Sequence, residues 1–287
     1  MFNTTVTLPN GVVVPMLGLG TWRVPDEIVE DVVRRAMALG YRHVDTAQVY
    51  GNERGVGEAV RACGVPRDEL FVTSKVSAYL KDYASAARSI DESLQKTGLD
   101  YLDLMLIHNP QPVTASDATD DRCFEGNREV WRALEDAYRA GKLRAIGVSN
   151  FLQVDMENVW ETASVKPMVN QVLCHISNSP LELIEYCQKR GVVMEAYSPI
   201  AHGVALKNEK IIAMAVRYGV SAAQLCIRFV LQLGMIALPK AVDPQHQRDN
   251  TELDFTISDA DMHALKTIEH IKDYGEFSGY RVYRTQI

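Results

Sequence analysis

Tyr41-Arg42-His43-Val44-Asp45-Thr46-Ala47-Gln48-Val49-Tyr50-Gly51-Asn52-Glu53 reads as one unit of an α/β chain: a short strand, a polar turn and the first residue of a helix. The strand ends in a carboxylate, Asp45, and the turn carries a phenol, Tyr50. Two later runs close the same way. Leu70-Phe71-Val72-Thr73-Ser74-Lys75 ends in an amine, and Tyr101-Leu102-Asp103-Leu104-Met105-Leu106-Ile107-His108 ends in an imidazole before Asn109-Pro110. In parallel α/β proteins functional groups gather at the carboxyl ends of the strands, because the loops there vary while the sheet stays rigid. Asp45, Tyr50, Lys75 and His108 are therefore the candidate acid/base site.

Working outward, short apolar runs at 16–20, 42–45, 71–75, 102–108, 145–149, 168–172, 192–198 and 236–240 alternate with helical patterns near 26–39, 53–62, 83–97, 128–140, 153–162, 181–190 and 209–233. Gly40, Gly64, Gly98, Gly141, Gly191 and Gly234 each follow a helical pattern where a left-handed C-terminal cap is wanted. Strand and helix alternating eight times predict a parallel sheet closed into an α/β barrel, a (β/α)8 TIM barrel formed by residues 1–287 as a single domain. Ahead of it, Val6-Thr7-Leu8 and Val12-Val13-Val14 flank Asn10-Gly11, which predicts a β-hairpin cap. The competing architecture is a doubly wound open sheet, but no strand is followed by a G-x-G-x-x-G turn. The stretch 109–127 and the Tyr- and Arg-rich segment 273–287 are expected to cover the site from two sides.

A net charge of −7 without a basic block argues against phosphate-backbone binding as the main role, so no nucleic-acid partner is expected. Five widely spaced cysteines without a C-x-x-C pair fit free thiols in a reducing compartment, and no metal site is expected; Cys174 next to His175 has no further ligands nearby. No apolar run reaches the ~18 residues of a membrane span. The first residues lack the basic and apolar regions of a signal peptide. A cytoplasmic protein with no membrane partner is the expectation.

A tyrosine phenol, with an unperturbed pKa near ~10, gives a proton to a carbonyl oxygen only if something eases its ionisation. A nearby ammonium does so, and a carboxylate paired with that ammonium fixes its position and charge. Lys75 and Asp45 suit these two parts, and His108 would direct an N–H at the same oxygen. The set suits carbonyl reduction. Singly, each residue has a plainer reading: Asp45 a salt-bridge carboxylate, Lys75 a surface amine, Trp22 a core aromatic, and His43 a packed core histidine.

At this point the chain resembles the aldo-keto reductases over nearly its whole length. The resemblance is carried by Gly18-Leu19-Gly20-Thr21-Trp22, by Gly40-Tyr41-Arg42-His43-Val44-Asp45-Thr46-Ala47, by Tyr50-Gly51-Asn52-Glu53 and by Leu106-Ile107-His108-Asn109-Pro110. It continues through Gly147-Val148-Ser149-Asn150-Phe151, Val169-Asn170-Gln171-Val172, Ala196-Tyr197-Ser198-Pro199 and Leu238-Pro239-Lys240. Within the family the chain looks similar to the microbial and protozoal members that include prostaglandin F synthase-like and diketogluconate reductase-like enzymes. The resemblance implies an NADPH-dependent enzyme reducing aldehydes or ketones, a monomer acting on a small-molecule carbonyl substrate, with Tyr50 as proton donor supported by Asp45, Lys75 and His108. It places Gly20, Thr21 and Trp22 beside the cofactor, Ser149, Asn150 and Gln171 on the nicotinamide carboxamide, and Tyr197 beneath the ring. Ser198 and Ile200 would follow the pyrophosphate, with Lys240 near the adenosine phosphate and Asn250 near the adenine.

Three departures bear on specificity. The family's Lys-Ser, with an arginine five residues on, becomes Lys240-Ala241 with His246, which weakens the implied preference for NADPH over NADH unless Lys240, Arg248 or His246 compensates. Val76-Ser77 stands where Leu-Trp is usual after the lysine, and Asn109 where Trp is usual after the histidine. Trp22, Ser77 and Asn109 are thus expected around a more open or more polar substrate pocket. Two other functions compete: a Schiff-base aldolase using Lys75 as nucleophile, and a non-catalytic nucleotide-binding subunit on the same scaffold.

Overall fold

The computed structural model describes residues 4–112 and 121–284. Two antiparallel strands, β1 (Thr5–Thr7) and β2 (Val13–Pro15), form the hairpin, turning through Gly11 at φ +87°. The barrel strands are β3 (Leu19–Gly20), β4 (His43–Asp45), β5 (Phe71–Val76), β6 (Leu102–Ile107), β7 (Leu143–Ser149), β8 (Val169–Leu173), β9 (Val193–Tyr197) and β10 (Ile236–Leu238). These eight lie side by side in chain order, every adjacent pair parallel. Closure comes from Leu17 pairing in parallel with Ala237, whose N–H donates to Met16 O at 2.8 Å while Gly18 N–H donates to Ala237 O at 2.9 Å.

Helices α1 (Asp26–Ala38), α2 (Glu53–Ala62), α3 (Tyr83–Thr97), α4 (Phe124–Arg139), α5 (Gln153–Thr162) and α6 (Leu181–Gln188) follow successive strands, and α7 (Glu209–Tyr218) and α8 (Ala222–Gln232) both follow β9. Helix α4 begins four residues before the expected start, its N-terminus held by Asn127 N–H donating to Cys123 O at 2.8 Å. Two short helices, α9 (Pro244–Asp249) and α10 (Asp259–Lys266), were not expected from periodicity. Each is announced instead by its cap: Asp243 accepts from the N–H groups of Gln245 and His246, and Ser258 accepts from Asp261 N–H. The last helix is α11 (Arg281–Arg284). All six glycines expected to end helices have positive φ, and at Gly98 (φ +61°) the N–H caps α3 by donating to Leu94 O at 2.8 Å.

Two apolar layers hold the barrel. The larger packs the helices onto its outer wall. The smaller fills its lower interior, where Phe71, Leu104, Ala145, Val169 and Ile236 meet Leu8 and Val14 of the hairpin. Higher in the barrel the inward positions become polar: Asp45, Lys75, Ser149, Gln171 and Glu195, all buried. An apolar floor under a polar roof confines water and chemistry to the C-terminal end of the barrel.

Gly57 marks one close approach on the outer layer. A Cβ there would collide with the Thr97 carbonyl at the end of α3, and a backbone carbonyl cannot turn aside. Gly57→Ala gains helix propensity of at most about 1 kcal/mol, but the overlap costs about 1–3 kcal/mol. A net loss of stability in urea unfolding is expected.

Candidate active site

Asp45 ends β4, Lys75 stands one residue from the end of β5, and His108 follows β6 directly. Tyr50 closes a single 3-10 turn, Gln48–Tyr50, in the β4–α2 loop. This loop is pinned at several points. Thr46 Oγ1 donates to Asn52 Oδ1 at 2.6 Å, Asn52 Nδ2 donates to Thr21 O and Val24 O at 2.9 Å each, and Gln48 Oε1 accepts from Ser77 N–H at 2.9 Å. Side chains whose backbones are held this way need little reordering before reaction.

The Lys75 ammonium is fully buried. It donates to Asp45 Oδ1 at 2.6 Å and Oδ2 at 2.8 Å, to Thr46 O at 2.9 Å and to the Tyr50 hydroxyl at 3.3 Å. The His108 ring lies edge-on to Tyr50, with centroids 5.6 Å apart. Burial opposes the Lys75 charge, but Asp45 and then Tyr50 outweigh it, leaving the ammonium pKa above its ordinary value. Burial also raises the Tyr50 phenol, which Lys75 pulls partly back. His108 falls to about 3 through burial and then Lys75, so the imidazole is neutral. At neutral pH the site thus holds a neutral phenol beside a fixed cation and a neutral ring.

These groups open onto a cavity of about 810 Å³. Of the sequence-derived candidates, Asp45, Tyr50, His108, Gly20, Trp22, Asn109, Ser149, Asn150, Gln171, Tyr197, Ser198, Ile200 and Lys240 line it. Lys75 lies beneath, behind Asp45 and Tyr50. Others lie elsewhere. Thr21 is buried below the cavity, where its hydroxyl donates to Asp45 O at 2.9 Å. Ser77 is not on the lining: its hydroxyl accepts from Tyr79 N–H at 3.4 Å and its backbone N–H donates to Gln48, while Ala78 and Tyr79 line the wall in its place. His246 is exposed on α9, and Asn250, buried at that helix's end, does not reach the lining.

On the far wall, Ser149 Oγ donates to Gln171 O at 2.9 Å, and Tyr197 Oη donates to Asn150 Oδ1 at 2.7 Å. Asn150 itself adopts φ +63° and donates through Nδ2 to His108 O at 3.1 Å. Lys240 has no ion-pair partner among the described residues; burial and then Arg23 lower its pKa. An unpaired cation facing a cavity fits an anionic ligand group.

The C-terminal segment covers one side, as expected. Phe277, Tyr280 and Tyr283 line the cavity, and Arg23 Nη1 pairs with Glu276 Oε1 at 2.7 Å. The His202 ring stacks on Phe277 at 4.0 Å and shares a 2.6 Å hydrogen bond with the Tyr283 hydroxyl. Residues 285–287, and 113–120 of the other expected cover, lie outside the described residues, although Gln111, Pro112 and Arg122 beside the latter line the cavity. Sequence reasoning passed over Arg23, His202, Arg122 and Glu195. Glu195 alone had a signal: an acidic residue at an inward position of a strand, between Val193 and Tyr197.

An eight-stranded parallel barrel with an acid/base cluster at the C-terminal ends of its strands defines a barrel enzyme. Residues 16–270 match the profile of the aldo/keto reductase family, and the chain belongs to that family of oxidoreductases. A glyoxal reductase of Bacillus subtilis is 39% identical over 267 residues, 92% of each chain. A 9,11-endoperoxide prostaglandin H2 reductase of Trypanosoma cruzi is 36% identical over 275 residues, 94% of this chain and 93% of that one. Among solved structures, an aldo-keto reductase of Bombyx mori in complex with NADP superposes with a TM-score of 0.85 at 30% identity, over 98% of this chain and 95% of that chain.

Proposed function

We propose that this protein reduces aldehydes and ketones to alcohols with NADPH, Tyr50 supplying the proton. The observation that carries this reading is the chain of contacts from Asp45 through Lys75 to Tyr50, ending in a phenol that faces the same cavity as His108. The cofactor would supply a hydride to the carbonyl carbon. Tyr50 gives its proton to the carbonyl oxygen, and Lys75 stabilises the phenolate left behind. His108, neutral, directs a ring nitrogen toward that oxygen and helps orient the substrate. Asp45 keeps the ammonium charged and in place despite its burial.

The residues fit a dinucleotide. Lys240 offers a cationic group on the lining and Arg23 a second one, shared with Glu276, while Ser149, Asn150 and Gln171 cluster beside Tyr197 with polar atoms suited to an amide and a ring to stack on. The bound NADP of the Bombyx mori relative and the reductase names of the other two support the same reading. The aldolase alternative loses its nucleophile: a Schiff-base lysine needs a depressed pKa, whereas Lys75 is locked to Asp45 with its pKa raised. Turnover is tested by initial rates of NADPH and NADH oxidation with an activated aldehyde and a reactive quinone. NADPH-dependent turnover is expected, and silence with both nucleotides sinks the reading.

Preference between the nucleotides has its own test. Ala241→Ser with His246→Arg restores a hydroxyl and a permanent charge near Lys240. A charge-assisted hydrogen bond contributes roughly 1.5–3 kcal/mol. KM for NADPH is expected to fall about tenfold or more with that for NADH unchanged; equal effects on both would place the 2′-phosphate elsewhere.

A further inference from the structure

Glu195 is fully buried, on β9, at the inward position that pairs in register with Gln171 of β8. Its Oε2 accepts from Gln171 Nε2 at 2.8 Å, and the same nitrogen donates its other proton to Asp45 Oδ2 at 2.9 Å. Glu195 Oε1 has no partner among the described residues. A buried carboxyl group with an orphaned oxygen, close to the Asp45 charge, costs stability. What its other oxygen holds accounts for its presence. Both amide protons of Gln171 are drawn inward, which leaves the Gln171 carbonyl as the polar atom available to the cavity it lines.

We infer that Glu195 is a positioning residue: with Asp45 it sets the orientation of the Gln171 amide, so that the cavity presents an acceptor and selects a nucleotide whose ring carries a primary amide. This rests on the reductase reading above. An amide side chain has two orientations of nearly equal shape, and the groups around it decide between them. Turned over, the Gln171 carbonyl would face two carboxyl groups. With Glu195 removed, one of the two inward acceptors is lost, and the second amide proton is free to turn toward the cavity. The groups facing Glu195 are Asp45 of β4, Lys75 of β5 and Gln171 of β8. Burial, and then Asp45, push its pKa up to about 8, while the Gln171 N–H that it accepts and the Lys75 ammonium favour the carboxylate.

The test is binding, with Trp22 on the cavity wall as fluorescence reporter. NADP⁺ is compared with its 3-acetylpyridine analogue, which replaces the carboxamide NH₂ with a methyl group. The wild-type protein is expected to prefer NADP⁺ by roughly 3–10-fold, the range of one hydrogen bond. Glu195→Leu, an apolar replacement of similar size, is expected to narrow the preference to within about twofold. Glu195→Gln, which still offers an acceptor to Gln171, is expected to restore it. Wild-type discrimination in Glu195→Leu, or an equal loss of affinity for both nucleotides, would show that Glu195 only fills the core and would overturn the inference. A wild-type protein that binds neither nucleotide would overturn the reductase reading and this inference together.

Discussion

Tyr50→Phe is expected to lower kcat for a simple aldehyde by about 10²–10⁴-fold, the range of a well-placed general acid, with nucleotide affinity unchanged. The change removes one oxygen, the atom that accepts from Lys75 at 3.3 Å. Lys75 keeps both Asp45 oxygens and the Thr46 carbonyl, so the ion pair survives and the fold with it. The aromatic ring also survives, preserving its edge contact with His108 and its position 4.9 Å from the Lys75 ammonium. Loss of turnover without loss of binding therefore isolates proton donation. Single-turnover rates and nucleotide titration on the same variant make the distinction. Turnover within a fewfold of wild type would transfer the proton to another donor, with His108 the next group on that wall.

The barrel was legible because its signals are local and repeated: eight apolar runs, helical patterns between them, and glycines where helices end. The short helices α9 and α10 escaped because they have too few turns for periodicity and are fixed by caps and packing. The candidate cluster was legible for a different reason. Asp45, Lys75 and His108 close consecutive strands, so parallel topology alone brings them to one end. Thr21 and Ser77 show where that logic stops. Strand position gives the height of a residue in the barrel, but side-chain direction depends on loop geometry: Thr21 turns down onto the Asp45 carbonyl, and the Ser77 hydroxyl turns back onto its own loop, accepting from Tyr79 N–H at 3.4 Å. The cover built from Trp22, His202, Phe277 and Tyr283 joins residues more than two hundred positions apart, a pairing that no local pattern encodes.

Lys75→Met is expected to cost more stability than any other single change in the site. The methionine fits the volume, but Asp45 is then a buried carboxylate whose neutralising cation is gone, its side chain keeping the Gln171 amide as its one hydrogen-bond donor among the described residues. Breaking a buried pair from one side costs about 3–5 kcal/mol, mostly the penalty of the charge left behind. Asp45→Asn in the same chain removes that charge, so the double variant Asp45→Asn/Lys75→Met should recover much of the loss in urea unfolding. Activity should not recover with it, because the Tyr50 phenolate would still lack its cation. Recovery of stability without turnover separates the two tasks of Lys75, balancing Asp45 in the folded protein and easing proton release from Tyr50. If the double variant were no more stable than Lys75→Met, the loss would lie in packing around the lysine stem rather than in the stranded charge.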